Sequence, residues 1–365
     1  MKVDSLILKD FRNYEGVQIT PGPGMNVFIG SNAQGKTNIV EALHLCCVGR
    51  SHRTSRDDEM IRWEQPFGRV TVRAAQQDGT HEVTIILARG QKKKKNIKIG
   101  ERKAERIGEL FGHLCGVLFS PEDLLIIKGG PAERRRFLDM LLSQLSTVYF
   151  YHLQRYAKAL SERNAVLREV SQKPSLRPTL DPWDEMLAQY GAEVAARRME
   201  ATEHLSRLAA SEHRHLTDGK EELTLRYVSA FRDTEDVRQK MLEQLFASRE
   251  DDIRRQTTGC GIHRDDISIR INGKETRVFG SQGQQRSAVL SLKMAQLSFM
   301  AERKGENPIL LLDDVMSELD MNRRLALGER ISQIQTFVTC TDISDLGDTG
   351  NGVLFQVEKG MLTQK

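Results

Sequence analysis

The chain opens on a period of two. Val3-Asp-Ser-Leu-Ile-Leu-Lys alternates apolar and polar positions, the pattern of a half-buried strand. Pro21-Gly22-Pro23-Gly24 marks a turn, and Met25-Asn-Val-Phe-Ile-Gly30 is a short apolar run stopped by glycine, a second strand. From Lys36 the spacing changes. Ile39, Val40, Leu43 and Cys47 recur every three or four residues, which predicts a helix to Val48. Period two returns in Arg69–Arg73, in His81–Ala88 and around Asn96-Ile-Lys-Ile, three antiparallel strands with a lysine run before the last.

Residues 131–215 carry long helical patterns. They break at the proline cluster of 174–182, and Pro182 stands in the first turn of the helix that follows. After Leu223 the pattern is mixed. Ile267-Ser-Ile-Arg-Ile and Thr276-Arg-Val flank Asn272-Gly273, a hairpin signal. A helix over about 285–301, an apolar strand Ile309-Leu-Leu-Leu-Asp-Asp and two late strands, Thr336–Cys340 and Val353–Val357, complete the chain. Strands thus lie at both ends and helices in the middle.

Composition narrows the class little further. The 365 residues carry a net charge of +4, with 39% apolar and 28% charged residues, a globular balance. No apolar run is long enough to span a bilayer, and Met1–Asp10 lacks the apolar segment of a secretion signal. A cytoplasmic protein without a membrane partner is expected. Its five scattered cysteines read as reduced core thiols.

The strongest chemical signal is Gly30-Ser31-Asn32-Ala33-Gln34-Gly35-Lys36-Thr37, a full G-x-x-x-x-G-K-[ST] between a predicted strand and a predicted helix. Its backbone N–H groups and helix N-terminus suit phosphate. Lys36 is expected on the β- and γ-phosphates and the Thr37 hydroxyl on Mg²⁺, with Asn38 at the loop exit. Leu310-Leu-Leu-Asp313-Asp314 supplies the second element. Asp313 is expected in the Mg²⁺ shell and Asp314 as the group that orients or deprotonates water. Lys36 and Asp314 are the catalytic candidates, and ATP and Mg²⁺ the cofactors.

Further residues resemble a known family. Gly280-Ser281-Gln282-Gly283-Gln284-Gln285 is similar to the signature loop of ABC-type ATPases, and Glu318-Leu319-Asp320 to their D-loop. The 277 residues between Lys36 and Asp313 resemble the SMC-like group, whose head domain is split by an insertion. Phe11-Arg12-Asn13-Tyr14 resembles that group's adenine- and phosphate-side loop, which adds Arg12 and Asn13 to the ATP contacts. Pro121-Glu-Asp-Leu-Leu-Ile-Ile-Lys-Gly-Gly-Pro-Ala-Glu-Arg-Arg-Arg-Phe-Leu-Asp139 closely resembles the RecF family.

The resemblance implies an α/β fold, an ABC/SMC-like P-loop head with a second, mainly helical lobe inserted between its halves. The expected boundaries are 1–119, 120–220 and 221–365. It implies a head-to-tail dimer closed by ATP, with Ser281, Gln282, Gly283 and Gln284 of one subunit on the nucleotide of the other. DNA, single- or double-stranded and including gaps or junctions, is the expected ligand. RecR and RecO are the expected partners, in recombinational repair and maintenance of replication forks. A transporter-type ATPase driving a membrane partner is the alternative, and a structural protein with a vestigial P-loop a third reading.

The sequence departs from the ABC pattern in three places. Asp-Asp replaces Asp-Glu at the strand end, so slow turnover is expected. Gly280 and Gln282 stand where leucine and a glycine are usual, and Gln282 would not tolerate a positive φ. No histidine follows residue 263, which leaves Thr339, Thr341 or Asp342 in place of a switch histidine.

Charge offers weaker candidates. Lys92, Lys93, Lys94 and Lys95 form either a DNA grip or a solvated hairpin tip. Arg134 and Arg135 either bind DNA or pair within the fold. His263-Arg264-Asp265-Asp266 reads as a tight turn rather than a metal site, Arg53 and Arg56 as loop residues or phosphate contacts, and Trp63 and Trp183 as packing residues.

Overall fold

The computed structural model describes residues 1–90, 95–170, 172–342 and 352–365. They form two compact units. The first joins Met1–Asp123 to Leu290–Lys365, and the second is Leu124–Val289.

The first unit holds two six-stranded sheets. One is antiparallel, in the order Tyr14–Ile19, Lys2–Phe11, Phe67–Gln76, Gly79–Ala88, Lys95–Ile99, Arg102–Lys103. Its strands alternate buried and exposed positions, as a sheet with one wet face must. The other runs Met361–Gln364, Val353–Glu358, Met25–Ile29, Thr336–Cys340, Ile309–Asp313, Gly116–Phe119. It is parallel apart from the antiparallel Met361–Gln364 edge. Ile309–Asp313 and Thr336–Cys340 are buried at every position, the continuous apolar reading of a central parallel strand.

Helix Lys36–Val48 packs between the two sheets. It is buried nearly all round, which explains its apolar composition. Cys46 and Cys47 lie in it as free thiols, pushed up in pKa by burial and therefore inert.

The second unit packs helices Pro131–Leu145, Thr147–Val170, Asp181–Leu216, Val237–Ala247 and Arg249–Arg255 with a sheet of Leu223–Val228, Asp266–Ile271 and Lys274–Glu275. The proline cluster forms a 3-10 turn at Pro174–Leu180, and Pro182 sits in the first turn of the next helix. At the centre of the unit Arg163 is fully buried. It donates to Asp184 at 2.5 Å, to Asp252 at 2.7 Å and to Thr258 at 2.9 Å. Arg249 adds a second cation on Asp184 at 2.6 Å, so two guanidinium groups balance the two buried acids.

Three expectations change. Residues 221–289 belong with the helical unit, because Leu223–Val228 packs on Asp181–Leu216 and pairs with Asp266–Ile271. The signature loop goes with them. Asn272 and Gly273 do make the hairpin turn, both with positive φ (51° and 73°), but the return strand is only Lys274–Glu275 and Thr276–Phe279 is helical. Tyr14–Ile19 is an additional strand, reversed from Lys2–Phe11 at Arg12, whose φ is 54°.

Candidate nucleotide site

The P-loop runs from Gly30 to Gly35 between strand Met25–Ile29 and helix Lys36–Val48. Its glycines are sterically required. A Cβ on Gly30 would lie 2.3 Å from the Val357 carbonyl oxygen. Gly35 has φ 117°, and its Cβ would fall 2.6 Å from the Asn13 amide nitrogen. Ala33 adopts φ 64° between them. Ser31, Asn32 and Ala33 are exposed, and Lys36 is buried with its amine on the carbonyls of Gly30 (2.6 Å) and Ser31 (3.0 Å). The amine thus caps the inside of a loop whose outer rim is open.

Gln34 is held from two directions. Its carbonyl accepts from Asn13 Nδ2 (2.7 Å) and the Gly360 N–H (3.2 Å), and its Oε1 accepts the Lys359 N–H at 2.6 Å. Tyr14 also donates to the Gly35 carbonyl at 3.1 Å. The turn between strands Val353–Glu358 and Met361–Gln364 therefore props the loop that opens the first helix.

Arg12 and Asn13 support the same region. Arg12 forks onto the buried carboxylate of Glu41, at 2.8 and 2.5 Å, and donates to the Glu59 carbonyl. Asn13 accepts from Asn38, which accepts in turn from Arg53. The expected ATP contact at Arg12 is, in this structure, a clamp on the helix that follows the P-loop.

Asp313 ends its strand almost buried, at 6% exposure. Burial raises its pKa, but the nearby His52 ring and the hydroxyls of Thr37 and Thr339 outweigh that and hold the carboxyl below its usual value. Thr339 donates to Asp313 Oδ1 at 2.9 Å, and its oxygen accepts the Asp314 N–H at 2.9 Å. Asp314 has φ 51°, a left-handed conformation that costs a non-glycine residue about 1 kcal/mol. Strain of this kind collects at functional sites. A hydroxyl and an ionised carboxylate brought together are the hard oxygen donors that fit Mg²⁺. The structure joins Lys36, Thr37 and Asp313 across 277 residues of chain.

His52 was not among the expected residues. Its Nε2 lies 3.7 Å from Asp313 Oδ2. It comes from the segment after the P-loop helix, whereas motif order places a switch histidine after Thr336–Cys340. Thr339 lies within that strand, bonded to Asp313 and Asp314, and Thr341 and Asp342 follow the strand.

In the second unit, Ser281 and Gln284 form a reciprocal cap. The Gln284 N–H donates to Ser281 Oγ at 3.2 Å and the Ser281 N–H to Gln284 Oε1 at 2.9 Å. Gln282 and Gly283 open the 23-residue helix Gln282–Lys304. Neither Gly280 (φ −75°) nor Gln282 has left-handed backbone, so the conformational objection to Gln282 falls away. In the first unit, Leu319 is buried and Asp320 caps helix Met321–Ile331 through the Arg323 N–H. The Glu318 side chain lies outside the described residues.

The basic candidates separate. Lys92, Lys93 and Lys94 lie outside the described residues. Lys95 is tied to Asp57 (2.7 Å) and the Gly49 carbonyl (2.8 Å). Arg134 is buried and forked onto Asp266 at 2.6 and 2.9 Å, an ion pair within the fold. Arg135 is half-buried and donates to the Asp265 carbonyl. The turn residues are likewise engaged internally, His263 with Tyr156 and Thr258, Asp265 with Tyr227. Trp63, expected to pack, is 82% exposed.

The RecF/RecN/SMC N terminal domain model matches residues 2–357. The DNA replication and repair protein RecF of Acetivibrio thermocellus is 41% identical, over 99% of both chains. A solved recombination mediator protein RecF of the RecFOR pathway, with ATP, is 33% identical at a TM-score of 0.93, covering all of this chain and 97% of that one. The Smc head domain of Pyrococcus furiosus, 16% identical at a TM-score of 0.59 over 100% of this chain and 96% of its own, shows the shared fold.

Proposed function

This chain belongs to the RecF/RecN/SMC family, and within it to the RecF proteins of DNA replication and repair; from that premise we propose that it binds ATP and Mg²⁺, and that ATP closes two copies head to tail around DNA. The observation that carries the reading is the meeting of Lys36, Thr37 and Asp313 at one end of a parallel sheet. Full-length likeness to RecF sets the transporter alternative aside. Among the described residues no helix is long and apolar enough to cross a membrane.

The roles follow from the geometry. Exposed Ser31–Ala33 and the Gly35 turn present N–H groups to phosphate. Lys36 exchanges the carbonyls of Gly30 and Ser31 for phosphate oxygens, a charge-assisted and stronger contact. Thr37 and Asp313 hold Mg²⁺, which neutralises charge on the phosphates. Asp314, pinned by Thr339, orients the attacking water. Its carboxylate is one methylene shorter than the usual glutamate, and slow, DNA-stimulated hydrolysis follows. The Ser281 helix end faces the partner's γ-phosphate, where its dipole favours the anion. RecR and RecO are the proposed protein partners, by the RecFOR pathway of the solved relative.

Light-scattering mass with ADP, ATP, and ATP plus DNA at two salt concentrations tests this. A dimer only with ATP, strengthened by DNA and weakened by salt, is expected. A mass indifferent to nucleotide would sink the clamp.

A further inference from the structure

His52 is buried beside the carboxylate that ends strand Ile309–Asp313, yet its polar atoms are not satisfied. Nε2 stands 3.7 Å from Asp313 Oδ2, an ion-pair separation too long for a hydrogen bond. Neither ring nitrogen has a hydrogen-bond partner, although the side chain is 91% buried. Such atoms in a folded interior are uncommon, and each calls for an explanation.

Packing fixes the ring where it is. His44, on the P-loop helix, meets it edge to face at 5.3 Å and 89°. The imidazole is thus braced on one side and open toward a carboxylate on the other. That carboxylate is asymmetrically dressed. Its Oδ1 receives the Thr339 hydroxyl at 2.9 Å, while Oδ2 faces His52 across the gap. A movement of about 0.8 Å would bring Nε2 to ordinary hydrogen-bond length.

We propose that His52 is a positioning residue for the magnesium site: its Nε2–H closes on Asp313 Oδ2 and fixes the carboxylate's rotation when MgATP loads. The inference rests on the reading of Thr37 and Asp313 as Mg²⁺ ligands. Thr339 and His52 then hold one oxygen each. The Thr37 hydroxyl is released from the carboxylate to face the ion. Donors behind a metal-ligating carboxylate act in this way, and losing one typically weakens metal binding 10- to 100-fold. Sequence order hides this role, because the histidine precedes the strand it serves by some 260 residues.

The test compares binding of a fluorescent ATP analogue in Mg²⁺ and in EDTA for the wild type, His52→Phe and His52→Asn. His52→Phe preserves the edge-to-face packing and removes the donor. It should lose about tenfold in affinity with Mg²⁺ and nothing in EDTA, and His52→Asn, which keeps an N–H, should recover most of the loss. His52→Leu against His52→Asn gives the same contrast if the phenylalanine variant folds poorly. Equal losses in both media mean that the ring only packs its loop, and overturn the proposal. No loss in either medium overturns it too. A wild-type protein indifferent to Mg²⁺ is a separate failure, since it removes Asp313 as a ligand, and the proposal falls with it.

Discussion

Thr339 holds Asp313 and its neighbour with one hydroxyl, donating to Asp313 Oδ1 at 2.9 Å while accepting the Asp314 N–H at 2.9 Å. Rotation of the first acid and backbone conformation of the second are therefore coupled. Thr339→Val keeps the shape and removes both bonds. Hydrolysis should fall about 10- to 100-fold, with a stability loss of about 1–2 kcal/mol. Thr339→Ser should stay near wild type. Single-turnover hydrolysis beside a urea melt separates the two effects, and an unchanged rate in the valine variant would refute the coupling.

Two glycines in the walls of the P-loop admit no side chain. Gly30→Ala would drive a Cβ to 2.3 Å from the Val357 carbonyl oxygen, so strand Val353–Glu358 must move. Gly360→Ala combines φ +75° with a Cβ 2.5 Å from the Asn13 carbonyl oxygen. The backbone conformation alone costs about 1–2 kcal/mol. Both variants should lose ATP affinity, Gly360→Ala through the hold on Gln34. Nucleotide titration reads this directly. Wild-type affinity in Gly360→Ala would mean that the late turn merely lies near the loop.

Ser281 has two separable duties, as a helix cap and as the proposed contact across the dimer. Ser281→Ala loses the cap at a cost of about 1 kcal/mol. Ser281→Arg places bulk and charge at the proposed interface. It should leave ATP binding by the monomer intact and abolish the ATP-dependent mass increase. Normal dimerisation of Ser281→Arg would exclude a composite site.

His263 gives the second unit a pH limit. Burial pushes its pKa down to about 4. The native ring is therefore neutral where the unfolded one, near 6.5, takes a proton. Stability is complete above about pH 6.5 and declines toward pH 4, by up to about 3 kcal/mol. His263→Gln should flatten that window in denaturant melts taken across it. An unchanged slope would mean that other groups set the limit.

Much of this site was legible because its parts are local. The P-loop needs its glycines, lysine and threonine within eight residues, between a strand and a helix, and the sequence has them there. Apolar runs likewise marked the central parallel strands, buried on both faces. What escaped depends on pairing at a distance. Leu223–Val228 has ordinary strand composition, and only its packing on Asp181–Leu216 assigns it to the helical unit. Arg134 sits in a basic triplet that suggests a nucleic-acid contact. Its partner Asp266 lies 132 residues away, and no local pattern announces an ion pair. His52 is hidden for the same reason, since motif order places a switch histidine on the far side of Thr336–Cys340.

The Met25–Ile29 strand lies between Thr336–Cys340 and Val353–Glu358, and the loop it feeds leans on Lys359 and Gly360. During synthesis, strand Met25–Ile29 and the P-loop leave the ribosome some 300 residues before their neighbours exist. Until then that strand has open edges on both sides and the P-loop has no floor. Such long-range closure is slow to form. A ribosome that stalls before residue 336 releases a chain with an early P-loop sequence and no working nucleotide site. Completion of the loop's support is thus a late event in the life of the chain, and incomplete products lack it.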